Sequence, residues 1–167
     1  MTEELVVDDA DLRSLAILQA ALGAGPLFVW LVVLGLWQMP PSSDGAAAGP
    51  DQVRLITLLS AVHVMVALSS YAAGALLFSR VLHQRAPRDP LGRLRAATAL
   101  RLALLEGPAL FGAVICLLAV QPGVAEQVPL VWLNATSTFV LLFVVVVTFP
   151  TRERVERLLR EARRPAP

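Results

Sequence analysis

Long apolar stretches alternate with short polar ones along the chain, and this alternation predicts its elements. The apolar stretches cover residues 12–37, 53–82, 94–120 and 129–149. About 20 helical residues cross a hydrocarbon layer about 30 Å thick. A segment that crosses lipid alone must be helical, because its backbone donors and acceptors would otherwise stay unpaired. The pattern therefore predicts an all-α integral membrane protein, a four-helix bundle.

The polar stretches divide the chain into two predicted parts. These are a four-span transmembrane domain over residues 1–150 and a basic cytoplasmic tail over 151–167. Pro, Gly and Ser mark the connections at 39–50, 85–92 and 121–123. The tail predicts a short amphipathic helix with one apolar face, made by Val155, Leu158, Leu159 and Ala162. Its basic residues are placed to face lipid headgroups or a cytosolic partner: Arg152, Arg154, Arg157 and Arg160. A solvated extension that only fixes topology is the other interpretation.

Composition and charge support a lipid environment and exclude other classes. The chain is 56% hydrophobic and 16% charged, whereas soluble domains carry about 25% charged residues. A net charge of only +1 argues against nucleic acid as a partner. The acidic first eleven residues lack the positive region of a signal peptide, so we expect the first apolar segment to be retained.

Arginine, the only strong base because the chain has no lysine, predicts the orientation. It is concentrated around the second connection and in the tail. By the positive-inside rule, both termini and this connection are expected in the cytoplasm, and the lipid bilayer is expected to be a bacterial inner (plasma) membrane.

The first and third apolar stretches resemble each other at a shift of 82 residues. LRSLAILQAALGAGPLFVW (12–30) falls on LRAATALRLALLEGPALFG (94–112), which pairs Gly25 with Gly107 and Pro26 with Pro108. Further on, Pro40 falls on Pro122. The match favours a duplicated helical hairpin whose two copies enter the membrane from the same side. The second and fourth stretches match poorly.

Glu106 is the only carboxylate well inside an apolar stretch. A charged carboxylate in hydrocarbon costs at least about 2.5 kcal/mol on insertion scales, so an acid there indicates a functional site by default. Gly107 and Pro108 follow it, and because Pro108 has no N–H to donate, the pattern predicts a kink beside the acid. Four small residues share its helix face and would let another helix approach closely: Ala99, Ala103, Ala109 and Ala113. We expect the sheltered Glu106 to take up a proton more readily than a surface glutamate.

Two residues at a similar depth are candidate partners of Glu106 in an ion-binding (proton) site, Gln19 and Tyr71. A polar track from Glu106 toward His63 on the second stretch would suit a proton path. In the alternative interpretation, Glu106 makes one hydrogen bond to Gln19 or Tyr71 and only fixes the packing of helices.

The other polar residues are expected to serve helix packing and not catalysis or cofactor binding. Asn134, Thr136, Ser137 and Thr138 are expected to form interhelical hydrogen bonds. His63 and His83 are twenty residues apart, about 30 Å along a helix, and cannot share a haem, so no cofactor is expected. The sequence contains no pattern typical of a nucleophile with its base, a metal site or a phosphate loop, and we expect no enzyme.

The segment ALLEGPALFGAVICLLA (103–119) resembles the carboxylate helix of the proteolipid (rotor-ring) subunits of rotary ATP synthases. RAPRDP (85–90) before it is similar to that family's polar loop. The resemblance implies that Glu106 is the proton-binding carboxylate and Gln19 a helper from another helix. A sodium site is disfavoured because Gly107 stands where sodium-binding members carry a hydroxyl. The overall layout also resembles small four-span bacterial membrane proteins of uncharacterised activity.

Two functions follow from these observations. The first is a non-enzymatic, proteolipid-like membrane protein whose buried Glu106 binds a proton. The second is a structural or accessory subunit, which forms a homo-oligomer or joins other membrane subunits and has no ion-binding role.

Overall fold

The computed structural model describes residues 8–39, 48–82 and 90–163. Four helices in this part are long and apolar enough to cross a membrane, which confirms the predicted all-α four-helix membrane bundle. Several residues used in the sequence argument lie outside the described ranges: Pro40, His83, Arg85 and Arg88.

The elements follow the predicted order, with small differences at their ends. They are α1 (Asp9–Trp37), α2 (Pro50–Leu82), α3 (Pro90–Val120), α4 (Val124–Gln127), a 3-10 helix (Pro129–Ala135), α5 (Thr136–Val147) and α6 (Arg152–Arg163). The first three spans begin three to four residues before their predicted starts. Polar and charged residues can continue a helix beyond the hydrocarbon, and hydropathy alone does not detect that extension.

The fourth span begins as a 3-10 helix and continues as α5, where a single continuous helix was expected. Before it, the chain turns at Gly123, whose φ of 71° suits glycine because no Cβ is present to clash. Pro129 opens the 3-10 segment. This tighter segment brings the backbone of Asn134 against α3.

α3 is the centre of the bundle, and α1, α2, the 3-10 helix and α5 all pack around it. Its inward surface is built from small residues that are fully buried, and these let the neighbouring backbones approach: Ala109, Ala113, Cys116 and Ala119. Large apolar side chains such as Phe28, Met65 and Phe139 point outward. Outward apolar residues are what a bundle surrounded by lipid requires.

Three layers of core residues follow one another along the bundle. One layer, at the end that we call the arginine-rich end, joins Leu15, Leu82 and Leu94. A middle layer joins Leu102, Leu105, Ala109 and Leu141. A third joins Val33, Ile56, Ile115 and Val131 with the short α4. The layers place the start of α1, the end of α2 and the start of α3 at one end, so successive spans run in opposite directions.

The tail helix α6 packs against the bundle and is not a solvated extension. Val155 and Leu159, two residues of the predicted apolar face, are buried in the layer at the arginine-rich end. Leu158 is partly buried beside them. The side chain of Ala162 falls outside the described part of the structure. The amphipathic pattern predicted the helix and its face, but not that the other spans would supply the surface it covers.

The two copies of the predicted repeat lie side by side. Near their starts, Arg95 of α3 forms an ion pair with Asp11 of α1 at 2.5 Å. Deeper in the bundle, Glu106 of α3 lies against Gly25 of α1. Both contacts join residues close to 82 positions apart, so corresponding parts of the two segments lie at the same level.

Candidate functional site

Glu106 projects from the middle of α3 toward α1 and is partly buried. A β-carbon placed on Gly25 would lie 2.9 Å from its Oε1 atom. The absence of a side chain at Gly25 therefore makes room for the carboxylate. Within the described ranges, no hydrogen bond or ion pair involves the Glu106 side chain.

The two predicted partners of Glu106 bond elsewhere or not at all in the described structure. Gln19 is buried, and its Nε2 donates to the carbonyl oxygen of Thr148 at 3.1 Å. The Oε1 of Gln19 has no partner among the described residues, and neither has the hydroxyl of Tyr71. The hydrogen bond from Glu106 to Gln19 or Tyr71, which the packing interpretation required, is thus not made in the described structure, because similar depth does not bring two residues to the same side of α3.

The pair after the acid, Gly107 and Pro108, faces two different surroundings. A β-carbon on Gly107 would meet nothing within 4 Å, whereas Pro108 is fully buried. α3 continues as a helix through both residues. The carbonyl of Pro108 is used as an acceptor by His63 of α2.

No family model, curated protein or solved structure matches the chain. The site is therefore assigned from the contacts of its own residues. Glu106 with Gly25 forms one candidate site, and the polar groups around His63 form another.

His63 anchors a buried polar cluster that joins α2, α3 and α5. Its Nε2 lies 3.0 Å from the carbonyl oxygen of Pro108 and 2.9 Å from the Oγ of Ser137. A carbonyl oxygen only accepts, so the bond to Pro108 requires a hydrogen on Nε2. The ring also meets Phe111 edge-on, with centroids 5.8 Å apart. These contacts face the α2 and α5 side of α3, whereas Glu106 faces α1.

Two further polar residues of the fourth span complete the cluster. Asn134 donates from Nδ2 to the hydroxyl of Ser60 on α2 at 2.9 Å. Thr138 donates to the carbonyl of Ala109 at 3.4 Å and accepts from Trp30 Nε1 at 2.9 Å. Together with Ser137 they confirm the predicted interhelical hydrogen bonds, while Thr136 is exposed. The sequence predicted that these residues would bond between helices, but not which partners they would have.

A cleft of about 480 Å³ opens between α2 and the fourth span, and its wall is mostly apolar. His63 and Tyr71 both line it. The Nδ1 of His63 and the hydroxyl of Tyr71 are buried without partners in the described structure. Two residues that line the cleft thus carry unused polar groups, an acceptor on His63 and a donor on Tyr71, and both groups are buried behind its mostly apolar wall.

The predicted lipid-facing arginines have different surroundings. Arg157 and Arg160 are exposed. Arg152 is also exposed and forms an ion pair with Asp9 at 2.6 Å. Arg154 is partly buried and donates from Nη1 to the carbonyl oxygens of Val147 and Phe149, at the end of α5. It therefore turns toward the bundle instead of away from it.

Replacing Trp30 with Phe tests the hydrogen bond to Thr138. We expect Trp30→Phe to lower the free energy of unfolding by about 1 kcal/mol, because one buried donor is lost and the Thr138 hydroxyl loses a partner. Trp37→Phe is the matched control, since Trp37 also packs on Trp132 but has no such bond in the described structure. Thermal unfolding in detergent micelles, followed by circular dichroism, measures both. Equal losses would contradict a role for the hydrogen bond.

Proposed function

We propose that this chain is a non-enzymatic, proteolipid-like membrane protein in which Glu106 binds and releases a proton. One observation carries the proposal: a carboxylate in the middle of a span lies against the backbone of α1 with no donor or cation to neutralise it in the described structure. An ionised carboxylate in such surroundings costs free energy, and taking up a proton removes that cost.

The nearest arginine on the same helix does not supply a counter-charge. The guanidinium of Arg101 lies over the ring of Phe78 on α2, 5.4 Å from its centroid. Arg95 is paired with Asp11 at the end of the bundle. A proton is therefore the simplest neutralising partner for Glu106.

The face beside Glu106 offers a route for exchange. Ala103 and Gly107 are both exposed, one turn apart on α3. A proton carrier in the bilayer, or a polar group on a neighbouring subunit, can approach the carboxylate across this small-residue face. Access from outside the bundle is a requirement of reversible proton binding.

The proposed location is a bacterial plasma membrane with both termini in the cytoplasm. Its support is the distribution of arginine: α6, the start of α3 and the end of α2 meet at the arginine-rich end. Positive residues at one end of a bundle favour the cytoplasmic side of the membrane.

Carboxyl modification tests proton binding at Glu106. A hydrophobic carbodiimide reacts with a protonated carboxyl group in an apolar environment, so we expect Glu106 to be modified in the purified protein in lipid nanodiscs, and faster at acidic pH. Peptide mass spectrometry locates the adduct. The variant Glu106→Gln should lose it, while exposed Glu126 should react only with a water-soluble carbodiimide. No adduct on Glu106 at any pH would end the proposal.

Gly25→Ala adds a test that depends on the contact itself. The new methyl group would displace the carboxylate end of a flexible side chain, so we expect little loss of stability but a several-fold change in the modification rate of Glu106. Gly35→Ala is the control on the same helix, since a β-carbon there meets nothing within 4 Å. The same rate in both variants would show that Gly25 does not shape the site.

A structural or accessory role without ion binding is the second candidate. The exposed face of Ala103 and Gly107 favours it, because small residues let a helix of a second copy, or of another membrane subunit, pack closely. In that case Glu106→Gln would leave assembly unchanged, and bulky Gly107→Leu would disrupt it. Cross-linking in native membranes distinguishes this role from the first.

A further inference from the structure

A separate cavity, with a mostly apolar wall and two arginines, lies at the arginine-rich end, where α6 packs on the bundle. Its volume is about 140 Å³, well above the roughly 10–15 Å³ that one water needs. Four helices contribute to its wall or rim, through residues that include Gln19 of α1, Phe78 of α2, Arg101 of α3 and Arg154 of α6. Thr148, directly after α5, adds to the wall. The lining is separate from Glu106 and from the cleft beside His63.

The cavity carries two positive charges from different helices, Arg101 of α3 and Arg154 of α6. Neither forms an ion pair with a carboxylate of the described residues. Two other arginines at this end are neutralised by carboxylates: Arg95 pairs with Asp11 and Arg152 with Asp9. The lining contains no acidic residue. The local charge of the cavity is therefore positive and unbalanced.

Both guanidinium groups are held in place before any ligand arrives. Arg154 is fixed by the carbonyls of Val147 and Phe149 through Nη1 alone. Arg101 is stacked on Phe78. A guanidinium has five N–H donors, so each side chain keeps donors for an anion. Groups fixed in advance bind a ligand without a further loss of conformational entropy.

Gln19 of α1 also lines the cavity, and its side chain is buried. Gln19 is 2% exposed; its Nε2 is occupied by Thr148, and its Oε1 is unsatisfied in the described structure. The apolar part of the lining, Leu102 and Leu158, suits the carbon atoms of an anionic ligand.

We propose that this cavity binds a phosphate group, with Arg101 and Arg154 donating to its oxygens. Paired arginines recognise phosphate by two-point, charge-assisted hydrogen bonds. A phosphate of this kind comes from an anionic phospholipid headgroup, such as phosphatidylglycerol with its free hydroxyls, or from the aqueous phase. The site does not depend on proton binding by Glu106.

Native mass spectrometry of the full chain tests the site. The protein is released from micelles that contain equal amounts of phosphatidylglycerol and phosphatidylcholine, with and without millimolar inorganic phosphate. We expect phosphatidylglycerol to be retained, and Arg101→Gln or Arg154→Gln to weaken retention at least about tenfold. Arg157→Gln, an exposed arginine on the same helix, is the matched control and should leave retention unchanged.

The outcomes separate the sources and the site. If phosphatidylglycerol stays bound in the presence of inorganic phosphate, the ligand is the lipid headgroup. If inorganic phosphate displaces the lipid, and the displacement requires both arginines, the ligand is the soluble anion. Arg101→Lys and Arg154→Lys keep the charge and the fold, and their loss of two-point bonding should give intermediate retention. Equal retention in wild type, Arg101→Gln and Arg154→Gln, or an equal loss in Arg157→Gln, would overturn the proposal.

Discussion

Gly112→Ala is expected to lower the free energy of unfolding by about 3 kcal/mol or more, or to prevent folding. The new β-carbon would overlap the backbone oxygen of Asn134 and would lie 3.0 Å from His63 Nε2. Backbone cannot move aside as a flexible side chain does, so the 3-10 helix and α3 would have to separate. Overpacking a closely fitted core costs about 1–3 kcal/mol, and more where nothing can yield. Separation would also break the bonds of His63 to Pro108 and Ser137.

Gly107→Ala is the matched control for this prediction. It changes a glycine of the same helix at a position where a β-carbon meets nothing within 4 Å. We expect no loss and a gain of up to about 1 kcal/mol, since alanine favours the helix. Thermal unfolding in micelles, monitored by circular dichroism, compares the two. Similar stability of both variants would show that α3 and the fourth span do not approach as closely as described.

Leu159→Ala is expected to release α6 from the bundle. Leu159 is fully buried and packs with Leu15, Leu82 and Leu94. Removing buried methyl groups from a leucine costs about 2–5 kcal/mol. Because α6 docks through few buried residues, a loss of this size shifts the equilibrium toward the undocked helix and leaves the spans folded.

Limited trypsin digestion measures this release, because α6 carries several arginines. We expect cleavage after Arg157 or Arg160 to be at least about thirty-fold faster in Leu159→Ala, which corresponds to about 2 kcal/mol. Glu153→Ala, which changes an exposed residue of the same helix, should cleave at the wild-type rate. Unchanged cleavage in Leu159→Ala would mean that Leu159 does not hold α6.

Hydropathy was sufficient to predict the four spans, because a segment that crosses lipid must be apolar along its whole length. The docking of α6 was not predictable in the same way. An amphipathic helix needs an apolar surface, and the sequence does not say whether that surface is lipid, a partner or the protein itself. The 3-10 start of the fourth span contacts Gly112 of α3, and a contact between such distant parts of the chain is not visible in hydropathy.

The sequence predicted the central residue of the candidate site but not the residues that surround it. A lone acid in an apolar stretch identifies Glu106. Its small-residue face was expected to meet another helix, but Ala103 of that face is exposed, and it is the Glu106 side chain that lies against α1 at Gly25. Gln19 and Tyr71 were proposed as partners because counting residues from the helix ends places them at a similar depth in the membrane. Depth fixes position along the membrane normal, whereas a contact also requires the correct side of the helix, which tertiary packing decides. Proton binding at Glu106 stays a prediction.

The central position of α3 has a consequence for biogenesis. α1 and α2 each pack mainly against α3 and hardly against each other in the described structure. Spans leave the ribosome in chain order, at about 5–20 residues per second. The first two inserted spans therefore wait a few seconds in the bilayer without their main partner, and assembly of the whole bundle begins only when the third has been synthesised.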